Sequence, residues 1–507
     1  MMKKIVLFAV FACLAPLLIL CPCEAKRDTL VVSIGTQPMT CFNPAYTSSR
    51  QILVLYHNWG DTLLYRDPAR QEVVPCLAES FEWVGPNLIE FILRKGVRFH
   101  NGEAFEAKAV RFSLELLKGP GSLVSDLFAG FEEVAVLDAH TVRIKTATTN
   151  PAALEVIANI LFIYPPEYYQ RVGKEGFDRH PIGTGPYRFV SCETPSEAVF
   201  SANPEYFGGP KGKALIPHLK VVSTQDEILQ MEALISGRAD LLRSTSLYQK
   251  QIPFVKKNPG LKVMRTGILR TYFLSMDAVG RSGVEFFKDK RVRMAVNHAI
   301  NKERLVKQGF NGYADTSDTI TSPLHFGHEP DVVRYWYDPA RARRLLSEAG
   351  YADGFSVDFF AGVNESAAEF IVRDLKAVGI TARLHWMASG WERFYKEFLE
   401  GRYPLSFMTW GSYSICDAGA ILNPFFVTGV PGCYGTTPEI SGMIAAAGLT
   451  TDRKQRQALF SITQKRIAAE AFCVPLCRAQ AISVMNKDLN FTPSYDEIDR
   501  YFTASWD

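Results

Sequence analysis

One short segment, Pro181-Ile-Gly-Thr-Gly-Pro-Tyr-Arg-Phe189, constrains this chain more than any other. Gly183, Gly185 and Pro186 stand between a proline and an aromatic strand start. Glycine opens backbone angles closed to other residues and proline locks φ, so this density specifies one loop shape. It is not a phosphate cradle, because the full P-loop spacing and its Lys-Ser/Thr are missing. The segment is therefore read as a rigid turn that delivers the chain into a strand at Tyr187.

Strands and helices alternate on both sides of that turn. Thr29–Gly35 is β-branched and ends at glycine, and Thr141–Lys145 alternates as a half-buried strand does. Leu88–Leu93 is apolar apart from Glu90, which predicts a more deeply buried strand. Ala107–Leu117, Ala340–Ala349, Ser366–Val378 and Asp452–Ala471 carry apolar residues at helical spacing. Asp338 is placed to cap the second of these, with Pro339 at its first position. The class is α/β, and the length asks for two or three domains. No internal repeat or low-complexity tract interrupts it.

The first residues look like an export signal. Lys3 and Lys4 precede the apolar run Ile5–Leu20, and Cys-Pro-Cys-Glu-Ala follows. Cleavage after Ala25 predicts a free exported protein. A lipid anchor on Cys21 or Cys23 is the rival reading, although neither cysteine follows a small residue. The formal net charge is only +3, and no basic stripe occurs, so nucleic acid is excluded as a partner. High aromatic content suits a pocket whose walls stack on a solute.

Chemistry-bearing clusters are few. His325-Phe-Gly-His328-Glu329 lacks metalloprotease spacing and is expected to be a solvated loop. His100 belongs to a Phe-His-Asn-Gly turn and is expected to serve that turn. No Gly-x-Ser-x-Gly elbow and no Cys/His nucleophile pattern is present. Nothing supports catalysis, a metal centre or a cofactor. Cys473 and Cys477 fall in Phe472–Cys477, expected as a strand at a core edge; without a second pair they do not make a zinc site.

Six segments carry a resemblance to a known family. Pro181–Tyr187 resembles the "PxGTGPY" loop of bacterial extracellular solute-binding proteins, family 5, which serve dipeptide, oligopeptide and nickel ABC importers. Leu93–Phe105 is similar to "LRxGVxFHDGxPF", Asn203–Gly209 to "NPxYWGG" and Ile235–Leu241 to "GexDl". Val292–Asn301 resembles "VRxAixyAID", and Asp338–Gly350 resembles "yDPekAkeLLxeAG". They occur in the family's order. The resemblance implies a type II periplasmic-binding-protein fold of two lobes joined by crossing strands, with an extra domain inserted in the first. Carried over, lobe I takes 26–48, 190–265 and 480–507, the inserted domain 49–189, and lobe II 266–479, after a signal peptide at 1–25. The implied function is a monomeric periplasmic receptor that closes on a small solute and delivers it to ABC permease subunits in the inner membrane. A chemosensory receptor and an exported α/β enzyme are the alternatives.

The resemblance also points to a site. Met408–Leu422 resembles the family's "W-x-x-D-x-x-D-P" loop, with Trp410 on the Trp and Asp417 on the second Asp. In peptide-binding members, the acidic residue nearer the Trp pairs with the peptide α-ammonium. Here that position falls on Tyr413 or Ser414, neither of which carries charge. The implied ligand-binding residues are Trp410, Tyr413, Ser414 and Asp417 from lobe II, with Tyr46 from lobe I. A free dipeptide is then expected to bind poorly unless Asp417 takes over as the anchor. The nickel-binding branch is similar at Asn43–Thr47, Thr409–Gly411 and Arg453–Leu459. Its histidine after Phe425, and its Arg and Trp within Lys118–Phe131, have no counterpart, so peptide and metal chelate both stay open. Seven cysteines follow Ala25, and Cys416 with Cys433, flanking the site loop, is the favoured disulfide.

Overall fold

The computed structural model describes residues 27–35, 39, 42–47, 50–244, 251–387 and 391–507. The segment expected to be a signal, with Cys21 and Cys23, lies outside them, as does Cys41. One mixed sheet runs through the molecule. Its strands are β1 (Thr29–Ile34), β2 (Tyr187–Thr194), β3 (Glu197–Ala202), β4 (His218–Ser223), β5 (Leu241–Ser244), β6 (Leu261–Met276), β7 (Ala314–Thr316), β8 (Phe355–Ala361), β9 (Ile380–Trp386), β10 (Leu405–Trp410) and β11 (Cys473–Asn486). They stand in the order β9-β8-β10-β6-β11-β5-β1-β4-β3-β2, with β7 paired to β11.

The centre of that sheet explains the two lobes. β6 and β11 are its longest strands, and they pair antiparallel from Leu261↔Asn486 to Ser275↔Cys473. At one end they adjoin β5 and β1, whose apolar side chains belong to a core around Leu30, Val32, Leu219 and Leu241. At the other end they adjoin β10 and β8, over a core around Leu274, Val296, Phe359 and Phe407. The register slips between Gly267 and Thr271, where the pair passes from one core to the other. Cys473 and Cys477 therefore lie mid-sheet, not at the core edge expected for them. Pro475 is tolerated there because a second register slip, at Tyr272/Phe273, lies opposite it.

A separate four-stranded antiparallel sheet orders Ala78–Gly85, Leu88–Leu93, Thr141–Thr146 and Phe131–Asp138, beside the helix Ala107–Lys118. Leu88–Leu93 alternates after all. Ile89, Phe91 and Leu93 are fully buried, while Ile92 is half out and Glu90 pairs with Arg143 at 2.7 Å. One face of this sheet meets water, so only every second side chain is buried. The expected helix starts hold: Asp338 Oδ1 accepts from Arg341 N at 2.8 Å and Asp452 Oδ1 from Gln455 N at 2.8 Å.

The Gly-Thr-Gly-Pro turn braces the first lobe. A Cβ on Gly185 would lie 2.5 Å from the Trp59 carbonyl carbon, and one on Gly183 2.2 Å from the Trp59 oxygen. These glycines are needed for backbone contact. Thr184 Oγ1 between them donates to Asp61 Oδ2 at 2.8 Å. Asp61 also accepts from Tyr206 OH at 3.2 Å and pairs with Lys211 Nζ at 2.7 Å, both charges fully buried. Lys211 spends its other donors on the His57 and Gly60 carbonyls, at 2.8 Å each. His100 Nε2 donates to Gly185 O at 3.0 Å. Burial holds this imidazole down to about 4, so it stays neutral and braces the Gly-Thr-Gly-Pro turn, not its own Phe-His-Asn-Gly turn as expected. Three separated segments thus close on one buried carboxylate. The helix Arg50–Trp59 that ends here carries Leu53 toward the space between the lobes.

Candidate interlobe site

A cavity of about 730 Å³ opens between the lobes, within the roughly 300–1,000 Å³ usual for small-solute sites. Thr47 and Leu53 come from the first lobe, and Leu123, Val124, Asp126, Leu127 and Ile160 from the segments beside the four-stranded sheet. The opposite wall comes from the helix Trp391–Leu399, the end of β10 and the segment that follows it. Most of the lining is apolar.

Trp410 is the centre of that wall. It is 8% exposed, and its indole Nε1 donates to Ala420 O at 2.8 Å. Its ring packs against Tyr395 at 5.7 Å and edge-on to Phe425 at 5.1 Å, which locks its orientation. After Trp410 the chain makes a tight turn, Ser412–Ser414, with both serines in the left-handed region (φ 54° and 63°). Such angles persist only where neighbours hold them. Three do. Ser412 Oγ meets His325 Nε2 at 2.9 Å, Ser414 Oγ donates to the Asp496 carbonyl, and Asn159 Nδ2 donates to Ser414 O at 3.2 Å.

His325 is therefore not in a solvated loop. It is 3% exposed, and its Nδ1 accepts from Ser322 N at 2.9 Å, which leaves the proton on Nε2 for Ser412. Burial, then the neighbouring His328, pushes it down to about 3. The loop is drawn inward because Phe326 brackets Asp417. Phe326 N donates to Cys416 O, and Ala418 N to Phe326 O, both at 2.9 Å.

Asp417 is fully engaged. Its oxygens take Arg456 Nη1 at 2.5 Å and Nη2 at 2.9 Å, and Oδ1 also accepts from Gly419 N at 2.9 Å. Arg456 is 6% exposed and lies over the Phe326 and Phe460 rings. This bidentate pair neutralises the loop and stands behind the cavity wall. Ser414 is buried in the same layer. Tyr46 is half-buried, its ring 5.1 Å from Lys174 Nζ, while the next residue, Thr47, faces the cavity. The Tyr413 side chain lies outside the described residues. Of the residues expected at the site, Trp410 alone lines the cavity among those described.

A second polar cluster joins the lobes beside the cavity. Arg66 Nη1 pairs with Glu155 Oε1 at 2.7 Å, and Arg66 Nε donates to Tyr495 OH at 3.3 Å. The Cys416 amide faces the same carboxylate. Burial raises the Glu155 carboxyl to about 7 against the pull of Arg66, with Asp417 and Asp496 adding to the rise. Cys416 and Cys433 are both free thiols, not the expected disulfide. Cys416 faces this cluster, whereas Cys433 lies by Arg281. Among the described residues no group of three His, Cys, Asp or Glu is placed to hold a metal, and no helix is long and apolar enough to cross a membrane.

Reading the sequence missed Asp126, Asn423, Tyr395 and the Val430–Gly432 turn as lining. Part of this lining belongs to Lys118–Phe131. Its signal was Leu123, an apolar residue in a polar turn that is 61% exposed in the structure.

A model of bacterial extracellular solute-binding proteins, family 5 (middle region), matches residues 72–431. The glutathione-binding protein GsiB of Pectobacterium atrosepticum is 30% identical over 441 residues, covering 82% of each chain. HbpA2 of Haemophilus parasuis superposes with a TM-score of 0.82 at 23% identity, over 95% of this chain and 100% of that one. The periplasmic binding protein DppA of Helicobacter pylori, solved with the peptide STSA, gives 0.80 at 24% identity, over 95% and 98%.

Proposed function

The chain belongs to the bacterial extracellular solute-binding proteins, family 5, and from that premise we propose that it is the periplasmic receptor of an ABC importer, holding a short peptide-like solute between its lobes. The observation that carries the solute class is the cavity itself. It is large enough for a tripeptide and its walls are apolar, with Trp410 and Tyr395 as flat surfaces for side chains. The crossing of β6 and β11 supplies a hinge at Gly267–Thr271, where the ladder is interrupted. Lobe I then comprises 26–48, 190–265 and 480–507, with 49–189 inserted and 266–479 as lobe II. The protein acts as an exported monomer and has no catalytic step.

The engaged state of Asp417 sharpens the reading of the loop. With Arg456 on it, that carboxylate is not available to an α-ammonium. The loop then contributes Trp410 as a wall, with Ser414 and Asp417 holding its shape. A relative named for glutathione makes that tripeptide an obvious probe. Mass spectrometry of the small molecule that co-purifies with the exported protein is the direct test. The expected result is a peptide of two to five residues, and small-angle scattering should give a smaller radius with it than without. A co-purifying nickel chelate, or an unchanged radius under saturating peptide, overturns the proposal.

A further inference from the structure

We propose that Asp126 is the specificity-determining residue of the cavity, selecting solutes by a free ammonium group from the wall opposite Trp410. This rests on the receptor reading above and names the chemistry of its solute. Asp126 is the single acidic or basic side chain among the described residues that line the cavity. It makes no ion pair with any other described residue. Its placement is built into the local fold. Phe128 is fully buried and packs at a tilt against Phe131 at 5.4 Å, Val124 is 5% exposed, and Leu123 N donates to Ala45 O at 2.7 Å. With those residues anchored inward, the turn Ser125–Phe128 turns Asp126 outward, between Leu123 and Leu127.

The other wall is electrically silent, because Arg456 cancels Asp417 and His325 is neutral. A solute's positive end therefore finds its one counter-charge on Asp126. Its apolar side chains find Leu123, Leu127 and Trp410. Closing the lobes excludes water from these walls, which strengthens the pair beyond its worth on an open surface. Glutathione, whose carboxylates outnumber its one ammonium, fits this charge pattern less well than a neutral tripeptide.

Calorimetric titration of the mature protein with trileucine, N-acetyl-trileucine and glutathione tests this, in the wild type and in Asp126→Asn. Acetylation of the peptide and Asp126→Asn are each expected to weaken binding about tenfold, the scale of one partly exposed ion pair. The two losses should not add, since both remove the same pair. Equal wild-type affinity for the free and acetylated peptides overturns the proposal while leaving the peptide receptor standing. So does an equal loss of both peptides in Asp126→Asn. If neither peptide binds, the proposal and the peptide reading fall together. The acetylated peptide keeps the test valid whatever the variant does to folding.

Discussion

Asp61 and Asp417 are each buried against a cation, and they serve opposite ends of the fold. Asp61 sits inside the first lobe, where Thr184, Tyr206 and Lys211 converge on it from segments whose sequence is dense in glycine, proline and aromatic residues. Asp417 sits behind the cavity wall, held by one arginine 39 positions away on a helix with no unusual composition. The first is a scaffold node, the second a site-shaping one. The difference teaches where family likeness resides. Backbone contact and multi-residue convergence demand particular residue types, so the scaffold is conspicuous in the chain. A cavity wall demands only shape and polarity, which many residues supply.

The largest expected effect lies at the scaffold. Gly185→Ala places a methyl against the Trp59–Gly60 backbone. Denaturant unfolding should show a loss of about 4–5 kcal/mol, or no folded protein at all. A loss under about 1 kcal/mol would mean that the turn relaxes freely, and the contrast with the site loop would collapse.

Next comes the site-shaping pair. Asp417→Asn leaves Arg456 buried without its counter-charge and should cost about 3 kcal/mol of stability. Peptide affinity should fall equally for free and N-acetylated forms, since the carboxylate touches no amine. A selective loss of the free-amine form would move the anchor back onto this loop.

The smallest effect is a pH slope from Glu155. Its carboxyl is raised by burial from the usual 4.5 to about 7, so the folded state binds the proton more tightly than the unfolded one. Stability from this group is present below about 4.5 and is lost as pH rises to about 7, by on the order of 2–3 kcal/mol. His100 and His325 work in the other direction. Both are lowered by burial, to about 4 and about 3, so their contribution is lost as pH falls from 6.5. Urea unfolding of wild type and Glu155→Gln between pH 5 and 8 separates them. Wild type should lose stability relative to Glu155→Gln, whose amide stands in permanently for the neutral acid, as pH rises. A difference constant with pH would show that Glu155 is solvated and that the lobes are looser there than at the Asp61 node.

Much of the architecture was legible in the chain because its signals are local. Asp338 with Pro339, and Asp452, mark their helix starts within a few residues, and Val142 and Ile144 alternate visibly. Errors came where the deciding partner is distant. The pull of Phe326 toward Cys416 buries a loop whose own composition is polar. Ile92 faces water because the sheet has one open face, which no residue of its own strand records. Asp417 looked like a candidate anchor because Arg456 is invisible from its neighbourhood. Asp126 was overlooked because a lone acid in a turn is usually just solvated.

The pairing of β6 and β11 has a kinetic consequence. β1 lies next to β5, and β5 is held on its other side by β11, which begins at Cys473. The first strand of the chain thus enters a sheet that is incomplete until nearly the last strand exists. Both lobes draw on the same late segment, so neither forms early as an independent unit. Such long sequence separation makes folding slow. A chain that stays unfolded until its end has emerged is one that can be threaded through a membrane pore before it collapses.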